Sequence, residues 1–460
     1  MANAAIAALL AELGDEVLLG DDIPERNERD WHSPSGVRPL ALVRPNTPAG
    51  VAAAVRICAA YGMTVVPQGG LTGLCGGAQP SADAVALSLE RLVGIEKIDR
   101  TAGTMTVRAG TTLEAVQKAA QEAGLFCALD LGARGSCTIG GNVSTNAGGN
   151  RVLRYGMVRE MVLGIEVVLP DGTLMTSLNT LLKNNAGYDL KQLFIGSEGT
   201  LGIITRVVLR LFPTPATTMT AICGLSDYES VLGLLHAARR SLGPLLSAFE
   251  VMWPDYFDTA TRRVPGVRRP LEGDHSLYVL LEAQGNDSET DTQRFESWLG
   301  EMLEAGTISD GAIAHSTADA EAFWRVRDAG TEFKALIGHF GSFDVGLPVG
   351  MMDDFVRDCR AGLDRELPGC VSFYYGHIAD GNMHIMASQP GAREQPLQAI
   401  DDIVYRLVRE RGGTVSAEHG IGTRKKKYLS FSRSAEDIAL MKILKATLDP
   451  QGILNPGKVI

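Results

Sequence analysis

The chain has 460 residues, 45% hydrophobic and 21% charged, a globular composition with material for two or three domains. Its 43 Lys and Arg against 54 Asp and Glu leave a net charge of −11, which argues against nucleic acid and anionic membrane surfaces as partners. Seven scattered cysteines without a CxxC pair suggest reduced thiols and a cytoplasmic chain, and no apolar run reaches the ~18 residues of a membrane span.

In chain order, MANAAIAALLAELGDE reads as an amphipathic opening helix, because it lacks the basic start of a signal peptide. ALVRP (41–45) reads as a strand. Thr47-Pro48 then opens a helix, with Thr as N-cap and Pro in the first turn, and Gly62 ends it. MTVVP (63–67) is a second strand and empties into PQGGLTGLCGG (67–77). A helix with a capping box from Thr111 to Glu114 is expected to run to about Gly124. GSCTIGGNVSTNAGG (135–149) reads as an uncharged polar loop, and VLGIEVVLPDGTLMT as a hairpin turning at Asp171-Gly172. GTLGIITRVVLRLFP (199–213) is a long strand stopped by proline, with a domain boundary near Pro213–Pro215. Helices of about a dozen residues then alternate with strands such as SLYVLLEAQG, an α+β pattern with antiparallel pairing.

The two Gly-rich segments expose backbone N–H groups and small polar side chains, which suits a ligand with a diphosphate. Neither is a dinucleotide fingerprint of the GxGxxG type or a P-loop. An extended flavin dinucleotide fits both. In GHIADGNMHIM (376–386) Asp380-Gly381 is a strong two-residue turn signal. That turn places His377 directly opposite His384, with Cβ atoms ~5 Å apart. Such a pair can share one metal ion or simply be hairpin histidines. Glu418-His419 lies in a Gly-bounded loop, a usual place for functional side chains. The other histidines (32, 236, 275, 315, 339) read as structural or surface.

The two loops, followed by GSEGTLGIIT (196–205), resemble the FAD-binding domain of the vanillyl-alcohol-oxidase and p-cresol-methylhydroxylase superfamily. GHIADGNMH, SAEHGIG and the terminal ILNPGK resemble its D-2-hydroxyacid dehydrogenase branch, over about residues 37–460. The branch includes D-lactate dehydrogenases, D-2-hydroxyglutarate dehydrogenases and the glycolate oxidase flavin subunit. The resemblance implies an α+β chain with an N-terminal helical segment (1–36) and a two-lobed FAD-binding domain (37–215). An antiparallel-sheet substrate or cap domain (216–410) and a helical C-terminal segment returning to the flavin (411–460) complete it.

It also implies site residues. Pro67, Gln68, Gly69, Gly70, Leu71, Thr72 and Gly73 would wrap the FAD diphosphate. Gly132, Ser136, Gly141, Asn142, Thr145, Ala147 and Gly148 would line the flavin and its ribityl chain, with Ile203 and Asn455 approaching the cofactor. Leu71 stands where covalent flavoproteins of the superfamily often place His, so FAD is expected to be non-covalent. His377, His384 and Glu418 correspond to ligands of zinc or another divalent metal. His419 corresponds to the general base, a task that suits imidazole, which titrates near pH ~6.5 when unperturbed. Arg327 of FWRVRD, with Thr331 and Asn382, would bind the substrate carboxylate.

Ser342 stands where dicarboxylate-oxidising relatives tend to carry Lys. This favours a monocarboxylate such as D-lactate, or a bulkier acid, unless Lys425 or Arg424 compensates. The reaction implied is oxidation of a D-2-hydroxy acid to the 2-oxo acid. Electrons would leave to a quinone, a cytochrome or an electron-transfer flavoprotein, and a homodimer is the expected assembly. The alternatives are the flavin subunit of a glycolate-oxidase-like electron-transfer complex, and a metal hydrolase that leaves the Gly-rich loops unexplained.

Overall fold

The computed structural model describes residues 1–31 and 35–460. They form two compact units. One is Met1–Gly149 with Gly156–Thr214 and Glu418–Ile460; the other is Asn150–Tyr155 with Pro215–Ala417. No helix among the described residues is long and apolar enough to cross a membrane. All seven cysteines are buried free thiols.

The first unit begins with the expected helix, Ala2–Leu13. The helix Pro48–Ala60 starts where its sequence says it should. Thr47 Oγ1 accepts the Gly50 N–H at 3.0 Å, and Pro48 occupies the first turn, where a missing N–H costs nothing. It buries Val51, Ala54, Val55 and Cys58, an i, i+3, i+4, i+7 stripe, into a core with Ala5, Leu9, Val65, Leu87 and Ala109. Strands Val17–Leu18, Ala41–Val43, Val85–Ser88 and Val65–Gln68 form a four-stranded sheet in that order. The last three are parallel. Their near-continuous burial explains why they read as unbroken apolar runs. The chain tail covers Val65: its N–H reaches Ile453 O at 2.8 Å, and Asn455 N–H reaches Val65 O at 2.8 Å.

The capping box expected from Thr111 to Glu114 does not form, and the N-cap lies one residue later. The helix is Leu113–Glu122, and Thr112 is the N-cap, accepting from Ala115 N–H. Thr111 Oγ1 instead accepts the Gly94 N–H at 2.9 Å, so a tertiary bond outcompetes the local one. The segment read as a polar loop also differs, since Ile139–Thr145 is helical. Ile139 and Val143 are fully buried one turn apart, and a Cβ at Gly140 would lie 2.6 Å from Ala109 Cβ. Close packing here overrides poor helix propensity.

The second sheet of this unit is antiparallel: Ile95–Asp99, Thr104–Arg108, Ile203–Arg210, Val162–Val168 and Leu174–Ser177, in that order. The predicted hairpin closes this sheet through a three-residue loop, 170–172, with Gly172 at φ 85°. Glu166 is fully buried in the sheet. Its carboxylate accepts from Thr205 Oγ1 and Thr176 Oγ1 at 2.9 Å and from Arg206 Nε at 2.7 Å. Burial pushes this carboxyl up, but Arg206 and the two hydroxyls outweigh it and hold it below the usual range. A depressed carboxyl stabilises the fold above its unfolded pKa of ~4.3 and stops doing so as the pH falls through the folded value. Arg206→Met therefore removes roughly 3–5 kcal/mol near pH 7. That deficit, read from urea midpoints, is expected to shrink below about pH 4.

The second unit carries a seven-stranded sheet, all antiparallel. Its order is Asp310–Ile313, Thr217–Leu225, Leu277–Gly285, Leu246–Met252, Val371–His377, Asn382–Ser388 and Gly341–Gly346. Helices Tyr228–Ser241, Ser288–Glu304 and Met352–Glu366 alternate with these strands, as the α+β pattern implies, and Leu397–Glu410 follows the last of them. Leu397–Glu410 buries Ile400, Ile403, Val404, Leu407 and Val408, one stripe of its surface. The helix Thr317–Asp328 joins a core of Tyr256, Phe257, Tyr278, Phe333 and Phe373 through Phe323 and Val326. Tyr256 stacks on Tyr375 with centroids 4.3 Å apart.

Candidate active site

In the first unit, Pro67 and Gln68 end a parallel strand, and Gly69 and Gly70 meet the second Gly-rich segment at close range. A Cβ on Gly70 would lie 2.0 Å from Ser136 O, and one on Gly69 2.6 Å from Thr138 Oγ1. Only glycine allows that approach. Leu71 sits at φ 60°, in the left-handed region. Gln68 is anchored by Asn27, whose Nδ2 donates to its Oε1 at 2.9 Å. Beside these segments lies a cavity of about 600 Å³, lined by Gly69, Gly70, Gly110, Thr111, Ser136 and Thr138 among others. Thr138 Oγ1 is buried there without a partner among the described residues. Bare glycine backbone and an unsatisfied hydroxyl in such a cavity fit a polar, extended cofactor.

Asn142 and Thr145 lie on the short helix, and Asn142 Nδ2 reaches Cys137 Sγ at 3.5 Å. Ala147 and Gly148 are buried just beyond it, while Gly132 is exposed with open space around it. Ile203 is buried in the core with Val65. Asn455 is buried, and its Nδ2 donates to Gly77 O (3.0 Å) and Glu198 O (2.7 Å). Thus the strand end, the short helix and the tail converge within one unit. Gly141 belongs to that helix; Thr72 and Gly73 continue the first loop.

The loop bearing Glu418 and His419 is pinned on both sides. Glu418 Oε1 accepts the Gly149 N–H at 2.7 Å, and Glu198 accepts the Ile421 and Gly422 N–H groups at 2.7 and 2.8 Å. Glu198 was not legible as an anchor of this loop: it is one acid between Ser197 and Gly199, and its backbone takes φ 53°. Burial pushes its carboxyl up.

In the second unit the hairpin differs from its expected register. Ile378–Asp380 forms a 3-10 turn and only Gly381, at φ 87°, is left-handed, so the loop is 378–381. His384 lies opposite Tyr375, not opposite His377. The two histidines are diagonal neighbours, with ring centroids 5.2 Å apart and a ring nitrogen of each within 4.8 Å of the other. A type I-like turn with one left-handed residue replaces the tighter turn, which needs two.

His377 is 5% exposed, and Glu250 is 1% exposed directly opposite it on the neighbouring strand. Glu250 Oε1 lies 2.5 Å from His377 Nδ1, and its Oε2 accepts from Arg327 Nε at 2.8 Å. Arg327 Nη2 lies 3.0 Å from His377 Nε2, and Nη1 donates to Asp328 at 3.2 Å. Burial would raise the Glu250 carboxyl, but His377 and Arg327 hold it down at about 2. The Tyr256 hydroxyl donates to Arg327 O and accepts the Gly330 N–H, fixing the end of the helix that presents the guanidinium. Arg327 Cζ lies 5.4 Å from the Tyr375 ring centroid.

Asn382 is buried, and neither atom of its amide has a hydrogen-bond partner among the described residues. A polar group left so is a place for a ligand atom. Thr331 is exposed, and its hydroxyl donates to Asp328 O at 3.2 Å. Asp344, fully buried, faces His384 in register, with a carboxylate oxygen within 4.8 Å of a His384 ring nitrogen. Ser342 sits on that strand opposite Met386. Of the remaining histidines, 236, 315 and 339 are exposed, His275 lies 3.5 Å from Asp310, and His32 lies outside the described residues. Glu250 and Asp344 were both missed. Their signal was a lone acid in a strand with no other charged residue, a place that favours a paired or functional carboxylate.

Comparison with known proteins agrees with this architecture. The profile "FAD binding domain" matches residues 39–177, and "FAD linked oxidases, C-terminal domain" matches 214–459. A D-2-hydroxyglutarate dehydrogenase of Arabidopsis thaliana is 40% identical over 97% of this chain and 80% of its own length. A putative D-lactate dehydrogenase of Schizosaccharomyces pombe is 38% identical over 94% and 84%. The crystal structure of p-cresol methylhydroxylase superposes with a TM-score of 0.80 at 18% identity, covering 99% of this chain and 96% of that one, a likeness of fold. With a family profile across its C-terminal half and full-length relatives, the chain belongs to the FAD-linked oxidases and is an oxidoreductase with D-2-hydroxyacid dehydrogenase relatives.

Proposed function

We propose that the protein oxidises a D-2-hydroxy acid to the 2-oxo acid, using non-covalent FAD and a divalent metal. The observation that carries this reading is the His377–His384 pair beside the Glu250-anchored guanidinium of Arg327. His377, His384 and Glu418 would hold the metal, zinc or a similar ion, as two imidazoles and a carboxylate do in open catalytic sites. Such an ion supplies Lewis acidity toward a bound hydroxyl. FAD supplies the hydride acceptor at N5. Arg327 binds the substrate carboxylate, Asn382 offers its buried unpaired amide, and Thr331 adds a hydroxyl. His419 takes the hydroxyl proton, at its own imidazole nitrogen, as the C2–H leaves as hydride.

The substrate is D-lactate, D-2-hydroxyglutarate or a related acid. Ser342 in place of a cation favours a monocarboxylate or a bulkier acid, unless Lys425 or Arg424 compensates, and the D-2-hydroxyglutarate dehydrogenase relatives favour the dicarboxylate. The buried free thiols agree with a cytoplasmic protein. Electrons would pass to a quinone, a cytochrome or an electron-transfer flavoprotein.

The test is anaerobic bleaching of the bound-flavin visible band by D- and L-2-hydroxy acids. Bleaching by a D acid that a chelator abolishes supports the reading. A flavin-loaded protein that no hydroxy acid reduces would make the chain a partner-dependent subunit of a larger complex. His384→Ala is expected to lose metal and activity together while keeping its flavin. Unchanged metal by elemental analysis would remove it from the ligand set.

A further inference from the structure

We propose that Glu250 is a positioning residue serving two partners at once. It fixes which nitrogen of His377 is available to a divalent cation, and it holds the guanidinium of Arg327. The inference rests on His377 being a metal ligand.

The strand Leu246–Met252 is buried along its whole length, and Glu250 is its one ionisable residue. A carboxylate persists there only if both oxygens are engaged. They are: Oε1 meets His377 Nδ1 at 2.5 Å, and Oε2 meets Arg327 Nε at 2.8 Å. The third side of the triangle settles the tautomer. Arg327 Nη2 has only hydrogens to offer, so His377 Nε2, 3.0 Å away, must accept. The ring proton therefore sits on Nδ1 and is donated to Glu250. With its proton on Nδ1, His377 presents the Nε2 lone pair, the side of the ring that can bind a cation.

The same contact couples two roles. An N–H of Arg327 and a metal cannot share one lone pair, so a cation on Nε2 releases Nη2. Nε stays on Glu250, and the freed edge of the guanidinium turns to a substrate carboxylate. If Glu250 were only the counter-ion of Arg327, it would leave metal affinity untouched.

Glu250→Gln keeps the shape but loses the charge, and it turns an NH2 toward a donor. Mn2+ binding to flavin-loaded protein stripped of metal, followed by loss of the free-ion EPR signal, reads the outcome. We expect full flavin content, metal affinity weaker by roughly 10- to 100-fold, and, at saturating metal, a KM that rises more than kcat falls. Wild-type Mn2+ affinity in a flavin-loaded E250Q protein overturns the assignment. Should E250Q fail to fold, Glu250→Asp keeps the charge at shorter reach and is expected to weaken Mn2+ measurably; wild-type affinity there overturns it equally. His384→Ala separates the two levels. If it too binds Mn2+ normally, the metal reading fails; if it loses Mn2+ while E250Q does not, only the Glu250 assignment falls.

Discussion

His419→Ala is expected to retain flavin and metal and to slow flavin reduction by a 2-hydroxy acid by roughly 10²- to 10⁴-fold, the range of a lost general base. The structure makes the variant interpretable. The loop is held by Glu418 on Gly149 and by Glu198 on the Ile421 and Gly422 N–H groups. None of these bonds uses the His419 side chain, so truncation leaves those pins in place. Stopped-flow bleaching of the flavin band under anaerobic conditions measures the rate. Reduction at the wild-type rate would remove His419 from the chemistry, whereas loss of flavin would mean that the loop had moved.

Arg327→Met is expected to be costly in two separate ways. It strips Glu250 of one of its two partners inside a fully buried strand, which by the usual cost of a broken buried pair lowers stability by roughly 3–5 kcal/mol. It also removes the proposed anchor of the substrate carboxylate. A charge-assisted bond contributes about 1.5–3 kcal/mol, so KM should rise roughly 10- to 150-fold. Arg327→Lys restores the charge but not the fork. One ammonium cannot reproduce the contacts that Nε, Nη1 and Nη2 make with Glu250, Asp328 and His377. Lysine is therefore expected to recover part of the stability and little of the KM. Urea midpoints and steady-state kinetics on the same preparations separate the two effects. An unchanged KM in a folded R327M protein would mean that the carboxylate binds elsewhere.

What the sequence revealed follows the range of the interaction concerned. Thr47-Pro48 and the Asp171-Gly172 turn signal are local features, and each appears in the fold. The glycines at 69 and 70 were legible as a loop of exposed backbone N–H groups, although their close approach to Ser136 and Thr138 was not. The errors are cases where a distant contact outbids a local preference. Gly94 takes the Thr111 hydroxyl and shifts a cap; Ala109 packs on Gly140 and makes a helix from a loop-like sequence. The hairpin misreading is different, since Asp-Gly permits more than one loop length and the register followed the longer one. The role of Glu250 was not legible, because its partners are 77 and 127 positions away.

The tail that pairs with Val65 has a consequence for how this protein is made. Residues 453–455 emerge from the ribosome after the whole second unit, yet they supply the backbone partners of a strand near the start. Until then the parallel sheet shows an unpaired edge at Val65, the kind of edge that recruits other chains. The second unit, drawn almost entirely from 215–417, can close first. The flavin-loop unit must wait, exposed, for a contact almost four hundred residues downstream. Synthesis slowed after residue 417 should therefore enrich aggregates joined through the strand Val65–Gln68, while the second unit in those chains is already resistant to protease.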